Sequence, residues 1–275
     1  MSADRPTEYA RFHRPSFLPG VELVSVAYGN RRFPEHCHEE YVIGAVTAGA
    51  ETLSVGRKQH LADAGTVLRL NPTEAHANTT IGTETLRYSV LYVPETVIAS
   101  FRDEEAALPR FDLCVTKDTK FFQKVCSVHA MLSSDVSGKL EQESALASLV
   151  HTLISDETWE QAEIVVPHAA AEIMRSFIKE HYADGFGLHD LSMLTGLSTF
   201  HLIRTFKRNF GLTPLAYRDQ LRIIKARRFL LQGQSTAQIA LKLGYADQSH
   251  FTRQFQRIVG TSPQRYARSA VAQHE

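Results

Sequence analysis

No run of about 18 apolar residues occurs in this 275-residue chain, so no membrane-spanning helix is expected. The opening MSADRPTEYARFHRPSF lacks the apolar core of a secretion signal, and none is expected to act there. Cysteine is scarce. Cys37, Cys114 and Cys126 are odd in number and far apart, which reads as reduced thiols in a cytoplasmic protein. Nothing spells a phosphate-cradling glycine loop, an activated nucleophile or a cofactor fingerprint, so the chain is not expected to be an enzyme.

What is present is ordinary in bulk and uneven in arrangement. Hydrophobic residues make up 43% and charged residues 22%, as in a globular protein of about two domains. The 30 basic and 30 acidic side chains cancel. Residues 1–167 hold 15 Lys+Arg against 23 Asp+Glu, a balance of −8, and residues 168–275 hold 15 against 7, a balance of +8. A basic third on an acidic body suggests that this end meets a polyanion.

The hydrophobic pattern changes along the chain. Short runs rich in Val, Leu, Tyr and Thr, such as VELVSVAY, YVIGAVTAG, ETLSVG and TLRYSVLYVP, alternate with turn residues over 20–115 and predict a β-sandwich or small barrel. KFFQKVCSVHAML and KLEQESALASLVHTLI then carry apolar residues at helical spacing, with a break near Ser137-Gly138. An acidic stretch ending at Pro167 reads as a linker, and helices follow. The expected organisation is a β domain with an N-terminal arm over 1–115, a helical segment over 116–157, a linker over 158–167 and an all-α domain over 168–275.

The helical third spells one template twice. RTFKRNFGLTPLAY (204–217) and RQFQRIVGTSPQRY (253–266) share Arg, Phe, Gly, Pro and Tyr at the same spacings. Thr213-Pro214 and Ser262-Pro263 read as helix starts, a hydroxyl cap before proline at the first helical position. Gly211 and Gly260 precede them, where a helix ends in a left-handed residue. Ser235 and Gln238 form a capping box for a shorter helix upstream. Each copy is therefore a helix-turn-helix. Leu202, Phe206 and Phe210 form one buried stripe, and Phe251, Phe255 and Ile258 the other. Phe200, Ile203, Arg204 and Lys207 then face outward on the first helix; Ser249, His250, Arg253 and Gln256 do so on the second. Arginine reads guanine O6 and N7 bidentately in the major groove.

Residues 168–270, through ARRFLL, STAQIALKLGYADQSHFTRQFQRIVGTSPQRYAR and the first copy, resemble the AraC/XylS family of transcription regulators. The resemblance implies two helix-turn-helix units joined by a long helix near 214–231, reading successive major grooves of double-stranded DNA. The base-facing residues it implies are Thr199, Phe200, Ile203 and Arg204, then Gln248, Ser249, His250 and Arg253. It also implies an activator that works with RNA polymerase, a homodimer joined through the helices at 119–134 and 139–155, and an effector-binding N-terminal barrel. The alternative for those helices is that their apolar stripe, including Leu149 and Leu153, packs onto its own barrel.

In RRFPEHCHEEYVIGAVTAG (31–49), strand alternation would put His36, His38 and Glu40 on one face, with His76 returning beside them. The region is similar to a cupin barrel, and His36, His38 and His76 match the metal-binding histidines of that fold. The glutamate does not match: Val42-Ile43 stand where it is expected, and Glu40 comes early. Three readings stay open: a divalent metal such as zinc, nickel or iron, a polar small-molecule effector, or satisfied polar groups at a barrel rim. A metal-dependent cupin enzyme or metal sensor fused to a DNA-binding domain is the alternative function. Tyr9, Phe12, His13 and Phe17 belong to an arm that closes over the ligand or to a disordered tail.

Overall fold

The computed structural model describes residues 8–101, 108–134, 136–155 and 168–271. The expected linker at 158–167 lies outside these residues, as do residues 1–7 of the expected arm. The described residues divide into two compact units by their contacts, one of 8–32 and 38–155 and the other of 33–37 and 168–271. The segment 32–36 belongs to the first by its hydrogen-bonded place in a sheet.

The first unit is built on two sheets. Its strands are β1 (Tyr9–His13), β2 (Glu22–Tyr28), β3 (Arg32–His36), β4 (Tyr41–Ala48), β5 (Ala50–Val55), β6 (Lys58–Asp63), β7 (Val67–Leu70), β8 (His76–Ile81), β9 (Leu86–Val93) and β10 (Val115–Thr116). One sheet has the order β1-β2-β9-β4-β7-β10, the other β3-β8-β5-β6. Residues 9–13 of the expected arm are thus an edge strand, with Phe12 opposite Val24 and His13 opposite Leu23.

Both faces of β2 and β4 are buried, because each face has its own cover. Leu23, Ile43, Val67 and Leu91 point towards the helices α2 (Thr119–Leu132) and α3 (Lys139–Ser155), which follow the short α1 (Glu95–Ala99). Val24, Val42, Val46, Val90 and, from the other sheet, Leu53 fill the space between the sheets by the alternation of β structure. The apolar stripe of α3 is used within the chain. Leu146, Leu149, Val150 and Leu153 are at most 2% exposed and pack with Val125, Val128 and Leu132 of α2 on the sheet. The expectation that this stripe meets a second copy is corrected, since the sheet's apolar outer face needs that cover.

The second unit is helical: α4 (Ala169–His181), α5 (Leu188–Thr195), α6 (Thr199–Phe210), α7 (Pro214–Leu231), α8 (Thr236–Lys242), α9 (Gln248–Val259) and α10 (Pro263–Val271). Local chemistry sets the boundaries. Ser198, Thr213 and Asp247 cap α6, α7 and α9, and Ser235 with Gln238 closes a capping box on α8. Gly211 and Gly260 end α6 and α9 at φ of 75° and 86°. The pairs α5–α6 and α8–α9 are the two helix-turn-helix units. Met174, Ile178, Phe186, Leu191, Leu202 and Phe206 form the core of the first. Buried Ile239, Leu243, Tyr245, Phe251, Phe255 and Tyr266 fill the second.

One joint connects the two. Arg222 of α7 is 5% exposed; its Nε donates to the carbonyl of Tyr182 at 2.6 Å and Nη2 to that of Asp184 at 3.3 Å. The guanidinium sits at the C-terminal end of α4, where the helix dipole favours a cation. It also lies over the Tyr245 ring of the second unit, 5.4 Å from its centroid. Beside it, Gly244 has φ of 69°, and a Cβ there would meet the Ala183 carbonyl oxygen at 1.9 Å. Arg222→Ala strips charge-assisted bonds from two carbonyls and should lower stability by about 2–3 kcal/mol. Gly244→Ala should also destabilise, through the clash and the left-handed backbone. Urea melts of the purified chain check both, and an unchanged midpoint in either variant would show that the joint is not structural.

Candidate functional site

The two recognition helices repeat in space what the sequence repeats. Leu202 and Phe206 on α6, and Phe251 and Phe255 on α9, are fully buried. Arg204 and Arg253 each lie two residues beyond the first of these core positions, so they project from equivalent faces, and both are exposed. Thr199, Phe200, Lys207, Gln248 and Ser249 are exposed with them. Phe200 is 72% exposed, which settles its packing in favour of the open face. Ile203 is half-buried against the first core, and His250 is half-buried with its ring edge-on to Tyr245 at 5.3 Å. These two are the least free to reach outward. Arg208 and Arg257 lie one helical turn beyond Arg204 and Arg253 on the same side, near the C-terminal ends.

This face offers two planar guanidiniums, hydroxyl and amide groups, and one exposed phenyl. Such a set supplies base-edge hydrogen bonds and an apolar contact for a thymine methyl. Half-buried Ile203 adds apolar surface, so the first helix is the less polar of the two.

In the first unit, His36, His38 and His76 come together, with one candidate ligand atom from each lying within 4.8 Å of the others. Nδ1 of His36 is 2.8 Å from the Pro34 carbonyl, and Nδ1 of His76 is 2.9 Å from the Glu74 carbonyl. A carbonyl only accepts, so in the neutral rings Nδ1 carries the proton and Nε2 the lone pair. The His38 ring lies 5.2 Å from that of His76 and 4.9 Å from that of Tyr92. Burial holds the His36 imidazole below its ordinary range, partly offset by its bond to Pro34. Neutral, oriented imidazoles are the donor set that a divalent d-block cation takes, so the residues fit such an ion.

Glu40 does not join the three histidines. β3 stops at His36, residues 37–40 lie outside any strand with a bend at 39–40, and β4 starts only at Tyr41, so the alternation that would align Glu40 is broken. Three further polar residues were not foreseen. Glu51 on β5 is 1% exposed, and Asn78 on β8 donates to its two oxygens at 3.2 and 3.3 Å. Tyr88 on β9 packs edge-on against Tyr28 at 6.4 Å. The signal was available in ETLSVG, where Glu51 shares the strand face of Leu53 and Val55.

Comparison with known proteins covers both units. Residues 18–150 match the AraC-like ligand binding domain, and residues 191–269 match a helix-turn-helix domain. The chain is 31% identical over 226 residues to the HTH-type transcriptional regulator YbfI of Bacillus subtilis, covering 80% of this chain and 82% of that one. It is 26% identical over 269 residues to the HTH-type transcriptional activator RhaS of Escherichia fergusonii, covering 92% and 95%. Among solved structures, unsaturated fatty acid-bound ToxT from Vibrio cholerae has a similar fold, with a TM-score of 0.58 at 15% identity over 96% of this chain and 97% of that one.

Burial pushes the Glu51 carboxyl up to about 7 from an ordinary 4.5, against a smaller lowering by the Asn78 bond. The folded chain therefore holds this proton more tightly than the unfolded chain. The stability it contributes is fully present below pH 4.5 and is lost as pH rises through 7. The shift corresponds to about 3 kcal/mol. Glu51→Gln, neutral at every pH, should melt higher than the parent at pH 8 and close to it at pH 4.5. Equal differences at both pH values would contradict the assignment.

Proposed function

The chain belongs to the AraC/XylS family of transcription regulators, and we propose that it is a cytoplasmic, homodimeric activator switched by a small molecule in its N-terminal barrel. The observation that carries this reading is the pair of equivalent exposed arginines, Arg204 and Arg253, on two recognition helices of a basic unit. An activator is the reading that the RhaS relatives support, and RNA polymerase is then its partner. No enzymatic activity is part of the proposal. Among the described residues, no helix is long and apolar enough to cross a membrane, which fits the cytoplasmic reading. For the homodimer the contact is the outward row of α3, Leu140, Ser144, Ser148 and His151, which is exposed and lies opposite the buried stripe.

DNA contacts are assigned to Thr199, Phe200, Ile203 and Arg204, and to Gln248, Ser249, His250 and Arg253, with Lys207 on phosphate. Arg204→Ala and Arg253→Ala should each weaken the specific site by about 1–3 kcal/mol. They should relax base preference in two segments separated by roughly one helical turn. Lys207→Ala should weaken all sequences alike and flatten the salt dependence. Quantitative binding to a randomised operator library reads all three, and loss of preference at the same base pairs for both arginine variants would contradict the two-segment reading.

In the barrel, His36, His38 and His76 line the effector site. A second reading, a divalent cation on the same three side chains, is favoured by the oriented Nδ1 donors of His36 and His76. His38→Ala with His76→Ala should abolish effector-dependent transcription in a reporter strain while the purified chain keeps its affinity for DNA. Metal analysis of protein prepared without chelator separates the two readings: near one ion per parent chain and none in the double variant supports the cation. A normal effector response in the double variant would remove the histidines from the site.

A further inference from the structure

Arg69 places a charge on the helix-covered face of the larger sheet. On β7 it shares that face with Val67, and it stands opposite Ile43 of β4 in register. It is 3% exposed, and its guanidinium lies over the Phe111 ring at 5.4 Å and the Phe121 ring at 5.9 Å. Arg69 and the buried Leu153 of α3 line the inner end of a cavity of about 370 Å³, within the size range of small-molecule sites. Half-buried Thr116, Phe121 and Thr152 form its walls, and exposed Asp118 and His151 stand at its rim. These residues lie on the helix side of the sheet, so the cavity is separate from the space between the sheets and from the three histidines. Asp118 caps α2 with Oδ1, which accepts the N–H groups of Lys120 at 2.8 Å and Phe121 at 3.0 Å. Its Oδ2 takes no part in that cap.

We propose that this cavity is a second small-molecule site, and that its ligand is a free amino acid with its carboxylate on Arg69 and its ammonium on Asp118. The proposal goes beyond the effector-barrel reading and does not depend on it. Charge decides the class, because the cavity offers one sign at its inner end and the other at its rim. A guanidinium is a planar fork that matches a carboxylate bidentately. A bare anion would pass the Asp118 carboxylate with no cation of its own, and a bare amine would be brought towards the Arg69 charge. A zwitterion meets both. The Thr152 hydroxyl already donates to the Ser148 carbonyl at 3.0 Å and accepts from Lys124 Nζ at 2.5 Å. Thr116 is therefore the hydroxyl placed to add a bond to the ligand. Phe121 and Leu153 supply apolar surface for its carbon skeleton, which an ion as compact as phosphate would leave uncovered. His151 also ends the outward row of α3 assigned above to the homodimer, so this ligand would sit at the edge of that contact.

The test is a thermal-shift and calorimetric screen of the full chain against free amino acids, each paired with the carboxylic acid that lacks its amine and the amine that lacks its carboxylate. At least one amino acid should bind and raise the melting temperature, and both of its truncated relatives should bind about tenfold more weakly or worse. Arg69→Lys keeps a positive charge but loses the fork, and should weaken binding by about tenfold or more. Asp118→Asn retains an acceptor for the α2 cap, so the chain folds, and should weaken binding by about threefold. Failure of every amino acid to bind, a truncated acid that binds as tightly as its parent, or an affinity indifferent to both variants would each overturn the proposal. Binding that disappears when His38→Ala and His76→Ala are combined would place the ligand in the barrel and overturn it as well.

Discussion

The guanidinium of Arg222 holds the DNA-reading half of this protein in one geometry. It closes the end of α4 through two carbonyls and lies over the ring of Tyr245, so one side chain belongs to both helix-turn-helix units. Gly244 makes the close approach possible, because any side chain there would enter the space of the Ala183 carbonyl. α7 supplies the arm. Its 18 residues span about 27 Å, most of the roughly 34 Å of one turn of DNA. Two short helices that would be marginal alone become a pair with a fixed offset, and in the proposed reading that offset sets the spacing of two segments on one duplex.

The first unit balances different requirements. Its larger sheet is apolar on both faces, and α2 and α3 cover the outer one with Leu146, Leu149, Val150 and Leu153. The inner space is not uniformly apolar. Three imidazoles gather near one end of β8, and Glu51 with Asn78 and two tyrosines lies further along the same interior. A buried carboxylate with a raised pKa lowers stability at neutral pH.

Much of the second unit was legible in the sequence, because its signals are local. Hydroxyl caps, proline at the first helical position and left-handed glycines act within a few residues, so RTFKRNFGLTP and RQFQRIVGTSP specify their helix ends wherever they occur. Arg222 was not legible: its partners, the Tyr182 and Asp184 carbonyls, are about 40 residues away and carry no side-chain signature. In the first unit, the sequence placed His36, His38 and His76 together on the assumption of an unbroken strand. They do meet, but the strand ends at His36, which is why Glu40 falls away from the group. Glu51 sat in a short alternating run where a charge is usually solvated; its place on the strand face of Leu53 was the signal, and the burial of that face shows that its side is the interior. The stripe with Leu149 and Leu153 was equally ambiguous, since periodicity cannot say whether a helix covers its own sheet or a second chain.

The proposed reading makes the two recognition helices one rigid reader with a fixed spacing. Affinity of the full chain for operators with base pairs inserted between the two contacted segments tests it most directly. A rigid reader loses affinity with every insertion, including a full turn of about 10 base pairs, because the second helix then reaches the right face at the wrong distance. Recovery of affinity at the full-turn insertion would show that the two units are flexibly joined, and would contradict a rigid joint built from Arg222, Gly244 and α7.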